Sequence, residues 1–279
     1  MPRPKDAKIT TYQIASPRWH APNIKIAVLS DLHVGAPWVP IDQVDHWIDQ
    51  ANALHPDLIV QAGDMLMDEM LRRVGRPADA LSIVDRLKRL KAPLGVWSVL
   101  GNHDWTDCTL ARQTRSQRNS VAEALAELGL PHLDNAAVQI THSGSPIWVI
   151  GLNSRKGDRF DGAPGDLGYD DPEAAFAAVP EGASAILIAH EPNVFDEGDG
   201  PYALQISGHT HAGQIAFGNW RPFLMKDYRA KLSHGHLTEG QRHLVISAGL
   251  GFSGLPIRFG APSEILSIDL SQSDRGGDP

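Results

Sequence analysis

Apolar residues in this chain come in short runs that stop at polar, ligand-bearing groups. Residues 24–30, 57–62 and 94–100 each read as a buried strand. Each is followed at once by side chains a core does not use: Asp31-Leu32-His33, Gly63-Asp64 and Gly101-Asn102-His103-Asp104. Between the first two runs, Ile41, Val44, Trp47, Ile48, Ala51 and Leu54 recur at helical spacing, with Pro56 closing the pattern. Between the second and third, residues 78–90 place Leu81, Val84, Leu87 and Leu90 on one face of a helix. This alternation predicts βαβ units and a largely parallel sheet.

A further helix is predicted from about residue 116 to 128, stopped by Gly129 and Pro131. Residues 136–141 and 146–151 read as a hairpin joined by His142-Ser143-Gly144-Ser145. Residues 157–171, rich in Gly, Asp and Pro, read as a long loop, and residues 172–179 as a short helix. Two more strands then run into histidines: residues 183–189 into His190, and residues 203–207 into Gly208-His209-Thr210-His211. Residues 243–248 and 264–270 predict the last strands, with a Gly-rich turn between them. No repeat or linker divides the chain. The expected organisation is one domain over residues 24–270, an N-terminal extension over 1–23, and a disordered polar tail over 271–279.

The composition changes this picture little. The 279 residues are 42% hydrophobic and 21% charged, as in an ordinary globular domain. A formal charge of -8 argues against broad attraction to nucleic acid or anionic membrane, which needs a basic surface. The single cysteine, Cys108, excludes an internal disulfide and a cysteine-built zinc site. Residues 1–14 are polar and read as neither signal peptide nor membrane span, so the expected location is the cytoplasm, compatible with peripheral membrane contact.

The 13 histidines carry more information, because several fall at strand ends. Gathered together, Asp31, His33, Asp64, Asn102, His103, His190, His209 and His211 form a mixed nitrogen and oxygen donor set. Such a set suits Zn, Mn, Fe or Ni better than Ca or Mg. It is too large for one ion, and two ions sharing a carboxylate use it naturally. A pair of metals clamps a phosphoryl group and activates a water for in-line attack. Read singly, Asp31 or Asp64 is an ordinary helix N-cap, Asn102 a turn residue, and His190 a structural histidine. On an extended chain, neighbours point in opposite directions, so Asn102 and His103 divide into one ligand and one group of another role.

In order and spacing, Asp31-Leu32-His33, Gly63-Asp64, Gly101-Asn102-His103-Asp104, His190 and Gly208-His209-Thr210-His211 resemble the signature of the calcineurin-like metallophosphoesterases. The longer form Gly208–Gln214, with Gly249-Leu250-Gly251 and Pro256-Ile257-Arg258, is similar to a bacterial YkuE/YaeI-type subgroup. The resemblance implies an α/β fold, a β-sandwich flanked by helices in four αββα layers. It implies two divalent or transition metal ions, one held by Asp31, His33 and His211, the other by Asn102, His190 and His209, with Asp64 bridging. A metal-activated water or hydroxide would be the nucleophile. His103 would be a general acid with Asp104 positioning its ring. The implied activity is phosphodiesterase or pyrophosphatase, on a small-molecule or lipid- or nucleotide-linked phosphoester. The alternatives are a phosphomonoesterase, phosphoprotein phosphatase included, and a non-catalytic scaffold of the same fold.

Other residues are expected to be bland. His20, His46, His55, His132 and His142 read as surface or loop residues, His234 and His236 as part of a polar stretch, and Cys108 as a plain small side chain. Arg155 and Arg258 read as surface salt bridges before phosphate binders. Trp38, Trp105 and Trp220 either wall the site for a lipid or base or pack its loops down.

Overall fold

The computed structural model describes residues 6–157, 168–218, 220–224 and 230–273. Two sheets face each other. From edge to edge the first runs Lys8–Ser16, Glu264–Gln272, Ile24–Leu29, Leu58–Gln61 and Val96–Ser98. The second runs Gly235–Glu239, Arg242–Ile246, Leu204–Ser207, Ala185–Ile188, Ser145–Gly151 and Ala136–His142. Neither is wholly parallel. Ile24–Leu29, Leu58–Gln61 and Val96–Ser98 are parallel to one another, but Glu264–Gln272 is antiparallel to Ile24–Leu29. In the second sheet four central strands are parallel and both edge pairs antiparallel.

The strands are short and apolar on both faces because each face is covered. Ile26, Val28, Leu58 and Val60 point inward against Val149, Ile186, Ile188, Leu204, Ile206 and Val245 of the facing sheet. The alternate residues Ala27, Leu29 and Ile59 point outward to the helices Ile41–Asn52, Ala80–Leu87 and Ser120–Glu127. Beyond the second sheet, Ile150, Ala185 and Leu187 pack with Ala175 and Phe176 of the helix Pro172–Phe176. The four layers expected from the family resemblance are present.

Several boundaries differ from expectation. Part of the N-terminal extension is a strand: Lys8–Ser16 pairs in parallel with Glu264–Gln272 over nine residue pairs, and the same pairing carries Ser271 and Gln272, expected in the tail, into the sheet. Residues 274–279 and most of the loop expected over 157–171 lie outside the described residues. The motif read as an extended loop after residue 100 is a helix, Asn102–Thr106, followed by a second, Thr109–Thr114. The polar stretch around His236 is the edge strand Gly235–Glu239. The hairpin formed where expected, turning through Ser143 and Gly144, both in the left-handed region.

Register sets the site. Leu29 pairs with Gln61 and Gln61 with Ser98, so three adjacent parallel strands end level. Ile188 and Ile206 pair in the same way across from them. All five carboxyl ends open toward one edge of the sandwich, where an α/β sheet builds its sites.

Candidate metal centre

Each level strand end turns sharply and presents a donor. Asp31, His33, Asp64, His209 and His211 all have positive φ, between 45° and 70°, although none is glycine. A non-glycine residue there is held by its surroundings against a local cost. Here the turns are tied to one another: Asp31 N donates to Gly63 O at 2.9 Å, His33 N to Asp64 O at 3.1 Å, and Gly208 N to His190 O at 3.0 Å. Glycine is required where the turns meet. A Cβ on Gly101 would strike the Asp64 carboxylate and backbone N, and one on Gly208 would strike Ser30 Oγ and the Asp31 carboxylate.

The donors fall into two buried groups, Asp31 with His33 and His211, and Asp64 with His190 and His209. Their tautomers are fixed from behind. His33 Nδ1 donates to Leu66 O at 2.9 Å and His190 Nδ1 to Ala62 O at 2.7 Å, which leaves each Nε2 lone pair facing the centre. His33 Nε2 then lies 3.1 Å from His211 Nε2 and 3.6 Å from Asp64 Oδ2. Asp64 Oδ2 also lies 3.1 Å from His190 Nε2, so one oxygen stands between the groups. Asn102 Oδ1 reaches within 2.7 Å of His209 Nδ1, adding an amide oxygen to the second group.

Imidazole nitrogens and carboxylate oxygens crowded together in two buried groups suit cations held between them, and this donor set fits transition metals bound by imidazole and carboxylate. Burial pushes His33, His209 and His211 below the usual imidazole range, toward the neutral form that ligates. Burial opposes charge on His190 too, but Asp64 beside it prevails and raises it well above that range. Asp64 is correspondingly held low: burial works against its charge, and His190 and His103 outweigh it.

His103 stands outside both groups. Its ring meets that of His33 edge-on at 5.0 Å, and its Nδ1 lies 2.5 Å from Asp107 Oδ2. Asp104 does not orient this ring, contrary to expectation. Its two oxygens accept the backbone N–H groups of Asp64, Met65, Leu66 and Gly101 at 2.8 to 3.0 Å. The reason is the helix: residue 104 turns inward under the neighbouring strand-end turn, whereas Asp107, one turn along from His103, shares its face. Asp107 is thus the residue the sequence reading missed, and its signal was the i, i+4 spacing from His103. Burial and Asp64 push the Asp104 carboxyl up to about 6, against the pull of those amides.

The remaining candidates separate. Trp105 is buried, donates to Asn153 Oδ1 at 2.8 Å and packs on Tyr169, so it holds loops together. Trp220 is 64% exposed and touches Phe217. Arg155 bonds to Asp170 and Glu197, the ion pairing expected of it. Among the described residues Arg258 forms no salt bridge: it donates to Gly251 O and Ala261 O, and its Nη2 lies 3.1 Å from His211 Nδ1. Cys108 is buried and caps the helix Thr109–Thr114.

Residues 24–213 match the family described as calcineurin-like phosphoesterase. The uncharacterized metallophosphoesterase YkuE of Bacillus subtilis is 28% identical over 251 residues, covering 90% of this chain and 80% of that protein. An uncharacterized metallophosphoesterase of Helicobacter pylori is 30% identical over 256 residues, with 88% and 60% covered. A Danio rerio transmembrane protein with a metallophosphoesterase domain is 27% identical, with 90% and 54% covered. The chain thus spans between about half and four-fifths of these relatives. The solved Haemophilus influenzae NAD nucleotidase (NadN) superposes with a TM-score of 0.50 at 13% identity, over 81% of this chain and 45% of that one, a likeness of fold. Among the described residues, no helix is long and apolar enough to cross a membrane.

Proposed function

This chain belongs to the calcineurin-like phosphoesterase family of metal-dependent phosphoester hydrolases, and from that premise we propose that it cleaves phosphodiester or pyrophosphate bonds on a dinuclear metal centre. Asp31, His33 and His211 would hold one ion, and Asn102, His190 and His209 the other, with Asp64 shared. Zn, Mn, Fe or Ni suits these donors. Bound there, such a pair supplies Lewis acidity and lowers the pKa of water into the neutral range.

The protein's own groups do the rest. The observation that carries this reading is the division of labour around Asp64. Its Oδ2 faces both His33 and His190, while its Oδ1 accepts the backbone N–H of His103 at 2.8 Å. One residue therefore spans the ligand groups and anchors the histidine that is not a ligand. With Nδ1 of His103 engaged by Asp107, only Nε2 is available to a substrate. Burial disfavours charge on this ring, but Asp64, the bond to Asp107 and nearby Asp68 outweigh it and raise its pKa to about 9. His103 is then protonated at neutral pH and donates from Nε2 to the departing oxygen, as general acid catalysis requires. Asp107 holds the ring on line and keeps Nδ1–H as the second proton.

Hydrolysis of bis-p-nitrophenyl phosphate and p-nitrophenyl phosphate by the purified protein tests the reading. Preference for the diester supports it. Preference for the monoester makes the protein a phosphomonoesterase, and no bound metal together with no turnover makes it a scaffold.

A further inference from the structure

Beyond the ligands, the carboxylate of Asp68 faces the free ring nitrogen of His103. Asp68 Oδ2 lies 3.7 Å from His103 Nε2, the ring atom turned away from Asp107. Its other oxygen caps the following helical turn, accepting from Met70 N at 2.8 Å and Leu71 N at 3.4 Å. Ser253 Oγ donates to Asp68 Oδ2 at 3.2 Å from the opposite wall. Ser253 and Met70 line a cleft of about 290 Å³ that His209 and His211 also line, and Asp68 adjoins it through its bond to Ser253.

We propose that Asp68 determines specificity on the leaving-group side: the site takes phosphodiesters of neutral or cationic, hydrogen-bond-donating alcohols and disfavours anionic leaving groups, pyrophosphates among them. The inference rests on the hydrolase reading above and narrows it. If His103 Nε2 protonates the departing oxygen, the atoms next to that oxygen lie against Asp68. A second phosphate there would bring like charges together in a site 94% removed from solvent at Asp68. Two such charges about 6 Å apart, at an effective dielectric of about 20, change a rate by roughly a hundredfold. A hydroxyl or ammonium group at the same point instead donates to Asp68 Oδ2, and Ser253 holds that oxygen in place.

Three methyl aryl phosphodiesters test this, with leaving phenols that carry a meta trimethylammonium, tert-butyl or sulfonate group. The first two match in shape and differ in charge. Comparing kcat/KM for wild type and Asp68→Asn, ester by ester, cancels each phenol's own reactivity. Asparagine retains the helix cap, and metal content verifies that the centre is intact. The expected result is a fall of about tenfold or more in the preference for the ammonium over the tert-butyl ester, with a relative gain for the sulfonate. Ser253→Ala should move the same preference in the same direction by less. Equal slowing of all three esters in D68N would mean that Asp68 acts only through His103 or its loop, and overturns the inference. If wild type with its full metal complement cleaves none of them, the hydrolase reading falls and takes this inference with it.

Discussion

Asp107 sits one helical turn after His103 on the helix Asn102–Thr106 and its C-cap, with its Oδ2 2.5 Å from the ring Nδ1. The pair is the one proposed to act as general acid, and the helix is what makes it. Because the chain winds into a helix directly after the strand Val96–Ser98 and Gly101, three consecutive polar residues face three ways. Asn102 faces His209, His103 faces Asp107 and Asp68, and Asp104 the backbone beneath.

Asp107→Asn should therefore cut turnover while metal content stays unchanged. General acid catalysis contributes roughly 10²–10⁴-fold, and an amide that no longer stabilises the imidazolium should forfeit about ten- to a hundredfold of it. The pH profile is the sharper readout. If His103 acts as an acid, activity is present below its pKa, which Asp107 and the neighbouring carboxylates raise, and is lost as pH rises through it. In D107N that alkaline limb should move toward the ordinary imidazole range. An unmoved limb would mean that the limb belongs to another group.

Asp104 predicts a different defect. Its carboxylate accepts four backbone N–H groups from two adjoining turns. Asp104→Ala leaves these buried donors without an acceptor, at about 1–3 kcal/mol for each that water cannot reach. A loss of at least about 3 kcal/mol in urea unfolding is expected, with metal affinity falling alongside. Full stability in D104A would refute the structural role assigned to it.

Glu264 supplies a pH effect on stability away from the metals. It is 2% exposed and accepts from Thr10 Oγ1 and Ala248 N, both at 2.7 Å, and from His234 Nε2 at 2.9 Å. Burial opposes its charge, but His234, the Ala248 amide and Thr10 hold its carboxyl below the usual range. A carboxyl depressed in the folded state adds stability above its unfolded value, about 4.5, and loses it as pH falls through the folded one. The urea midpoint should drop below pH 5, and Glu264→Gln should be less stable at pH 7 with a shallower acid limb. Parallel acid limbs in the two proteins would contradict this.

Metal removal should also be legible in stability. Anything bound only by the folded state stabilises it by RT ln(1 + [L]/Kd), about 2.7 kcal/mol at 100 times Kd. Chelation should lower the melting temperature of the wild type, and added Mn or Zn should restore it in a concentration-dependent way. Asp64→Ala should show little of this shift.

Most of the site could be read from the sequence because short apolar runs end one after another in Asp31, Asp64, Asn102, His190 and His209, a succession that their separate structural uses do not explain. The structure brings all of them, with His33 and His211, to one edge. The strand Lys8–Ser16 escaped because its inward positions are Thr10, Tyr12, Ile14 and Ser16, which give no apolar alternation. The roles of Asp104 and Asp107 escaped because Gly101-Asn102-His103-Asp104 was read at the period of an extended chain, and a helical period exchanges the two. Asp68 escaped altogether, since its meaning depends on where His103 Nε2 points. The positive φ angles of five non-glycine ligands were equally invisible, because the tertiary structure imposes them.

The central claim is that one histidine beside a dinuclear centre protonates the leaving group without holding metal. Metal per chain and the rate of bis-p-nitrophenyl phosphate hydrolysis, measured together for wild type, Asp64→Ala and His103→Ala, test it most directly. The account predicts two metals and turnover in the wild type, loss of both in D64A, and two metals with turnover reduced about a hundredfold or more in H103A. Loss of metal in H103A, or full turnover without His103, would contradict it.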